Sequence, residues 1–417
     1  MTSENWGARL HQAGAYSLYL HVPFCAQKCA YCDFASWATG RHDPLIARYA
    51  SALCSQIDEA RELGLLGDVR TAYIGGGTPT MLGAGSLGRL VSAASGLGVG
   101  ELSCEANPDS LSDEVLTCMV DGGATRVSIG VQSLDDSELK VLGRLHDAAL
   151  AKKRVRAAVA SGLDVSCDLM CALPGQTDVS WAATLDEFLA LGAGHVSVYP
   201  LMIEEGTAFD KLYGDEDCDW NSDEVQARRM QMAQAELEGQ NLNRYEVASY
   251  AKPNCRCLHN IAYWTGRPYL GLGTKASSML TLEGYIRLLK TACNLPPAPS
   301  DTARVRLRAV NGRDEIAADP RLESLRFSIE FLTEGQAAAE DLMLGARLAE
   351  GLHPSLIDHA RAVLPPGSLD ACLDGLIADG YIKFVNGSYS PTERGWLLGN
   401  ELYGRLWDLA PGDVLEV

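Results

Sequence analysis

Six short runs rich in β-branched residues, each followed by a longer stretch of helical period, constrain this chain more than any other feature. The runs are residues 17–22, 69–74, 101–105, 126–131, 163–169 and 195–199. Helical patterns occupy 44–63, 87–95, 112–120, 148–160 and 179–191 between them. Strand and helix alternating at spacings of about 25–50 residues require right-handed crossovers and a parallel sheet. Six such units without a dinucleotide fingerprint predict an α/β fold built as a (β/α)6 barrel, complete or partial, rather than a doubly wound sheet. In a barrel the chemistry belongs at the C-terminal strand ends.

The polar and glycine-rich motifs do follow the strands. After the first comes Cys25-Ala-Gln-Lys-Cys29-Ala-Tyr-Cys32, and after the second Gly75-Gly-Gly-Thr-Pro-Thr80. The third ends in Cys104-Glu105-Ala-Asn-Pro108, and the fourth runs into Gly130-Val-Gln132-Ser133. The fifth carries Asp168 and leads to Leu173-Pro-Gly-Gln-Thr177. Three thiolates spaced C-x3-C-x2-C on one loop suit three irons of a [4Fe–4S] cluster, leaving the fourth iron open. A structural zinc site would need a further ligand pair nearby, and none follows. The carboxylate and amine of S-adenosylmethionine would fill the open position. Glu105 and Asp168 suit its ribose hydroxyls or amine, and Arg144 a carboxylate.

A chain of 417 residues exceeds one hydrophobic core and predicts two domains. Its net charge of −19 argues against a nucleic-acid partner. The first ten residues lack a targeting pattern, and no apolar run is long enough to span a bilayer. Thirteen cysteines, an odd number with a ligand signature, suit a reducing compartment, so a cytoplasmic location is expected.

Further along, 222–238 reads as an amphipathic helix and 244–250 as strand-like. His259-Asn260-Ile-Ala-Tyr263-Trp264 combines an imidazole with flat aromatic surface, a set suited to an iron porphyrin. Residues 270–278 read as a glycine loop. The Pro-rich stretch 294–301 and a basic patch at Arg304, Arg306 and Arg308 make 291–330 a linker or irregular junction. In 331–417, helices at 340–352 and 369–378, an Asn-Gly hairpin at 381–390 and a last helix at 391–406 predict a smaller winged-helix-like domain. With 5 basic against 13 acidic residues, a net of −8, that domain suits packing or a protein partner rather than DNA.

These motifs resemble those of the radical S-adenosylmethionine proteins related to oxygen-independent coproporphyrinogen III oxidase, over residues 17 to about 280. The oxidases carry a fourth cysteine two residues beyond the third, where this chain has Phe34. The His259–Trp264 run is instead similar to the signature of the haem chaperone branch, HemW. The resemblance implies a radical-SAM barrel over 1–290, with Cys25, Cys29 and Cys32 on the cluster. Around S-adenosylmethionine it implies Tyr19, Gly76, Gly77, Thr78, Glu105, Gln132, Arg144 and Asp168. It makes His259, Asn260, Tyr263 and Trp264 candidates for haem. The implied partners are haem and a haem-accepting protein, with room for a haem donor and for transient contact with membrane-bound targets. The competing expectation is an oxidase that decarboxylates porphyrinogen propionates by radical chemistry. Lys275, where the family prefers a smaller residue, is the main departure in the pocket region.

Overall fold

The computed structural model describes residues 14–214, 218–290, 295–385, 387–410, Gly412 and the backbone of 415–416. The six expected strands form as β1 Ser17–Val22, β2 Thr71–Gly76, β3 Glu101–Ala106, β4 Arg126–Gln132, β5 Asp164–Cys171 and β6 His195–Pro200. They pair in that order, all parallel. The crossover helices are α1 Pro44–Glu62, α2 Gly83–Ser95, α3 Asp113–Gly122, α4 Ala148–Ala160 and α5 Asp178–Leu189. Asp43, Ser112, Asp147 and Thr177 start α1, α3, α4 and α5 by accepting a hydrogen bond from a first-turn N–H. Leu20, Ile74, Leu102, Ile129, Leu169 and Val198 are fully buried in the resulting core. That is the continuous apolar pattern of a parallel sheet covered by helices.

The sheet does not stop at six strands. Next to β6 lies the antiparallel β7 Ser249–Ala251. Beyond β1 lies the parallel β8 Tyr269–Leu272, followed by antiparallel β9 Ser277–Thr281, β10 Thr302–Ala309 and β11 Phe327–Thr333. Two expectations are corrected here. The stretch 270–278, expected as a glycine loop, is a hairpin with Gly271 in its first strand and Gly273 in its turn. The stretch 291–330, expected as a linker, holds β10 and the start of β11. In β10 the arginines alternate with buried Val305, Leu307 and Ala309, so the charges are one face of a strand and not a loop patch. Asn294 of the Pro-rich stretch lies outside the described residues.

The C-terminal unit begins at α6 Glu334–Gly345, because β11 keeps Thr333 in the sheet and Thr333 caps α6 with Gln336. It continues through helices Pro354–Val363 and Ser368–Ala378, a hairpin of Ile382–Val385 with Ser388–Pro391, and helices Glu393–Leu397 and Gly399–Trp407. The helix at 354–363 was not anticipated, and the expected last helix is broken at Leu398. Of the Asn-Gly turn, Asn386 lies outside the described residues. Leu342, Leu356, Leu373 and Leu402 centre a separate core. Arg304 ties the two units together: buried, it bonds Glu340 at 2.7 Å and Asp341 at 2.8 Å, both on α6. Among the described residues no helix is long and apolar enough to cross a membrane.

Candidate cofactor site and adjoining groove

The cysteine loop leaves the C-terminal end of β1 and is tied down at its base. Phe24–Cys25 pairs in parallel with Trp37–Ala38, and the Thr39 N–H donates to the Cys25 carbonyl at 2.8 Å. Inside the loop, His21 Nε2 donates to the Ala35 carbonyl at 2.8 Å, so Nδ1 accepts from the Tyr19 hydroxyl at 3.0 Å. The loop is thus braced against the strand that launches it.

Cys25, Cys29 and Cys32 line one cavity of about 130 Å³, together with Gly76, Gly77, Thr78, Glu105, Gln132, Arg144 and Asp168. Ten of the eleven residues expected around cluster and cofactor therefore meet at the strand ends. The eleventh, Tyr19, lies one cavity away. The polar members are wired together. Arg144 donates to Asn107 Oδ1 and to the Gly130 carbonyl, both at 2.7 Å, and reaches Cys29 Sγ at 3.4 Å. Asn107 donates to the Thr78 hydroxyl at 3.0 Å, which lies 3.5 Å from Cys25 Sγ. Two of the three sulfurs thus face a hydrogen-bond donor.

Glycine has a steric reason here at two positions. Gly76 has φ +112°, and a Cβ on it would come 2.4 Å from the His21 ring. A Cβ on Gly130 would press on the side chains of Gln132 and Asn107 at about 3 Å. Next to Gly130 the β4 register shifts, and Gln132 takes φ 67°, a bulge that turns its side chain into the cavity.

Two larger cavities open from this centre, and both share Glu105 and Phe34 with it. One, of about 390 Å³, runs into the barrel past Asp168, Tyr199 and Asn260. Glu105 accepts from the Tyr73 hydroxyl and from the Gly76 N–H, each at 2.9 Å. Burial raises its pKa above the ordinary carboxylate range. Burial first, and the nearby Glu105 second, push Asp168 up to about 7, although the Ser128 hydroxyl opposes the shift. The other cavity is a groove of about 650 Å³ between the cysteine loop and the β8–β10 face. Its walls include Tyr19, Phe34, Tyr263, Trp264, Tyr269 and Met279.

The His259–Trp264 run lies in a short helix of seven residues, Leu258–Trp264, whose N-terminal N–H groups at 258 and 259 both donate to Glu101. It does not present its imidazole to a ligand. His259 is buried, with Nδ1 3.0 Å from the Thr71 hydroxyl and Nε2 3.0 Å from the Tyr263 hydroxyl. Burial lowers its pKa to about 3. The expectation of an imidazole iron ligand is corrected: both ring nitrogens are engaged inside the protein. Tyr263 and Trp264 line the groove, and Asn260 lines the inner cavity.

The sequence model of the Radical SAM superfamily matches residues 19–188. The heme chaperone HemW of Mycobacterium tuberculosis is 31% identical over 376 residues, which cover 88% of this chain and 91% of that protein. HemW of Escherichia coli is 33% identical, covering 93% and 96% respectively. The chain belongs to the HemW family. Among solved structures, the radical SAM enzyme coproporphyrinogen III oxidase (HemN) of Escherichia coli superposes with a TM-score of 0.74. That alignment has 21% identity and covers 96% of this chain and 92% of that one, a likeness of fold.

Radical SAM membership implies a [4Fe–4S] cluster and S-adenosylmethionine, and the residues of this HemW family member fit both. Cys25, Cys29 and Cys32 are free, half-buried thiols on one cavity, two of them facing donors. Glu105, Asp168, Gln132 and Arg144 supply acceptors and donors along its continuation into the barrel. Asn107, Tyr31 and Ser128 belong to the same constellation but were not singled out from the sequence. Asn107 stands in the quoted Glu105-Ala-Asn-Pro string, so its place two residues past a strand-end carboxylate was the available signal.

Proposed function

We propose that this chain is a haem chaperone, binding haem in the 650 Å³ groove and passing it to an acceptor protein. Cys25, Cys29 and Cys32 would hold the cluster, with S-adenosylmethionine between Gly76–Thr78, Glu105, Gln132, Arg144 and Asp168. The names of its relatives support haem as the cargo. The observation that carries the reading is the groove itself. Its volume lies in the range of ligand sites, its walls carry Tyr19, Phe34, Tyr263, Trp264 and Tyr269, and it opens beside the cysteine loop. Tyr263 meets Tyr269 edge-on at 4.6 Å, giving two rings a flat macrocycle can pack against. The bound cluster would supply one-electron chemistry, while the chain's own residues orient the cofactor and limit water around it. Phe34, exposed at the meeting point of all three cavities, stands where the oxidases have a further cysteine, which weighs against decarboxylation.

The test is haem transfer. Protein reconstituted anaerobically and loaded with haem should pass it to an apo haem protein, and should leave coproporphyrinogen III unchanged with S-adenosylmethionine and a reductant. Conversion of coproporphyrinogen III at enzymic rates would replace this reading with the oxidase.

A further inference from the structure

We infer that the β9–β10–β11 end of the groove is a carboxylate-binding subsite, built by Lys275, Arg308, Ser277 and Ser328 for the propionate edge of a tetrapyrrole. The inference rests on the haem-binding reading and adds to it the orientation of the ligand.

Register places these groups together. Arg308 on β10 lies directly opposite Ser277 on β9 and Ser328 on β11. Directly paired residues share a face of the sheet, so a guanidinium is flanked by two hydroxyls. All three line a cavity of about 330 Å³ that shares Tyr269, Ser277, Arg306 and Arg308 with the main groove. Lys275, in the turn just before β9, lines the groove at the same end.

The charges are not already spent. Arg304 is committed to Glu340 and Asp341, and Arg306 bonds Glu330 at 2.5 Å and Glu340 at 2.7 Å. Lys275 and Arg308 form no ion pair with any described carboxylate, and Arg308 is exposed. The acidic groups lining the two cavities are Glu330 and Glu340, both already held by arginines, together with Asp33 and Glu105. On a chain of net charge −19, two uncommitted cations on one groove wall make a local anion site. A planar guanidinium with adjacent hydroxyls matches a carboxylate geometrically.

The backbone gives a second, independent sign. Lys275 has φ 58°, a left-handed conformation that an ordinary side chain adopts at a cost and glycine does not. A long cation at such a position, in a turn that already holds Gly273, points to use of its side chain.

Anaerobic titration of the reconstituted full chain with haem and with haem dimethyl ester, followed by absorbance, tests this. The K275Q/R308Q variant should bind haem about 10- to 100-fold more weakly than wild type. Wild type should bind the diester about as weakly as the variant binds haem, and the variant should not distinguish the two ligands. Arg308→Lys should recover part of the loss. Lys275→Gly should weaken haem binding without lowering the unfolding temperature or the iron content, which separates ligand recognition from misfolding. Equal haem affinity in wild type and double variant, or a wild type that binds the diester as tightly as haem, would overturn the subsite while leaving haem binding intact. A wild type that binds no haem would overturn both this inference and the proposed function.

Discussion

The Nε2 of His259 lies 3.0 Å from the hydroxyl of Tyr263, so the histidine holds the tyrosine at the groove wall and keeps its own ring out of it. His259→Ala should therefore weaken haem binding by a modest factor, about 3- to 10-fold, with the Soret band of the bound haem unchanged in position. Loss of an imidazole-ligated spectrum in the variant would show that His259 reaches the iron after all.

Asp168 makes stability depend on pH in a stated direction. Its pKa is raised from the ordinary carboxylate value to about 7 in the folded protein. The folded state therefore holds the proton more tightly than the unfolded one, and this contribution is fully present below about pH 4 and lost as pH rises through 7. In protein without S-adenosylmethionine, Asp168→Asn should be more stable than wild type by about 1–3 kcal/mol at pH 8. The gap should close toward pH 5. Denaturant melts at the two pH values measure it, and a gap that widens on acidification would reverse the assignment.

Gly76→Ala should cost about 1–3 kcal/mol, from its left-handed backbone and the clash with the His21 ring. Because the Gly76 N–H also holds Glu105, the variant should retain less S-adenosylmethionine in equilibrium dialysis. A variant with wild-type melting and cofactor binding would remove the steric argument for glycine there.

Arg304→Ala should be among the most damaging single changes outside the cavities, at about 3–5 kcal/mol. It leaves Glu340 and Asp341 buried at the junction of sheet and C-terminal unit. A thermal melt showing less than about 1 kcal/mol of change would mean that water or Arg306 replaces it.

How far the sequence disclosed this molecule depended on the range of the interactions concerned. The six parallel strands were legible because each is a short apolar run closed by a glycine or polar motif, and those motifs fall at one end of the sheet. The grouping of Cys25, Cys29 and Cys32 with Glu105, Gln132, Arg144 and Asp168 was legible for the same reason. Strand β10 is hard to read because its three arginines mask the alternating buried Val305, Leu307 and Ala309, the period-two pattern that marks it as a strand. The orientation of His259 was not legible at all, since it is decided by Thr71, 188 residues earlier in the chain. A histidine beside two aromatics reads the same in sequence whether it faces a ligand or a buried hydroxyl.

The central claim is that the groove beside the cysteine loop carries haem, and a haem titration of anaerobically reconstituted protein tests it most directly. Wild type should bind haem stoichiometrically with its iron–sulfur absorbance intact, and Trp264→Ala, which strips aromatic surface from the wall, should bind it about 10-fold more weakly. Failure of wild type to bind haem, or identical affinity and stoichiometry in Trp264→Ala, would contradict the account.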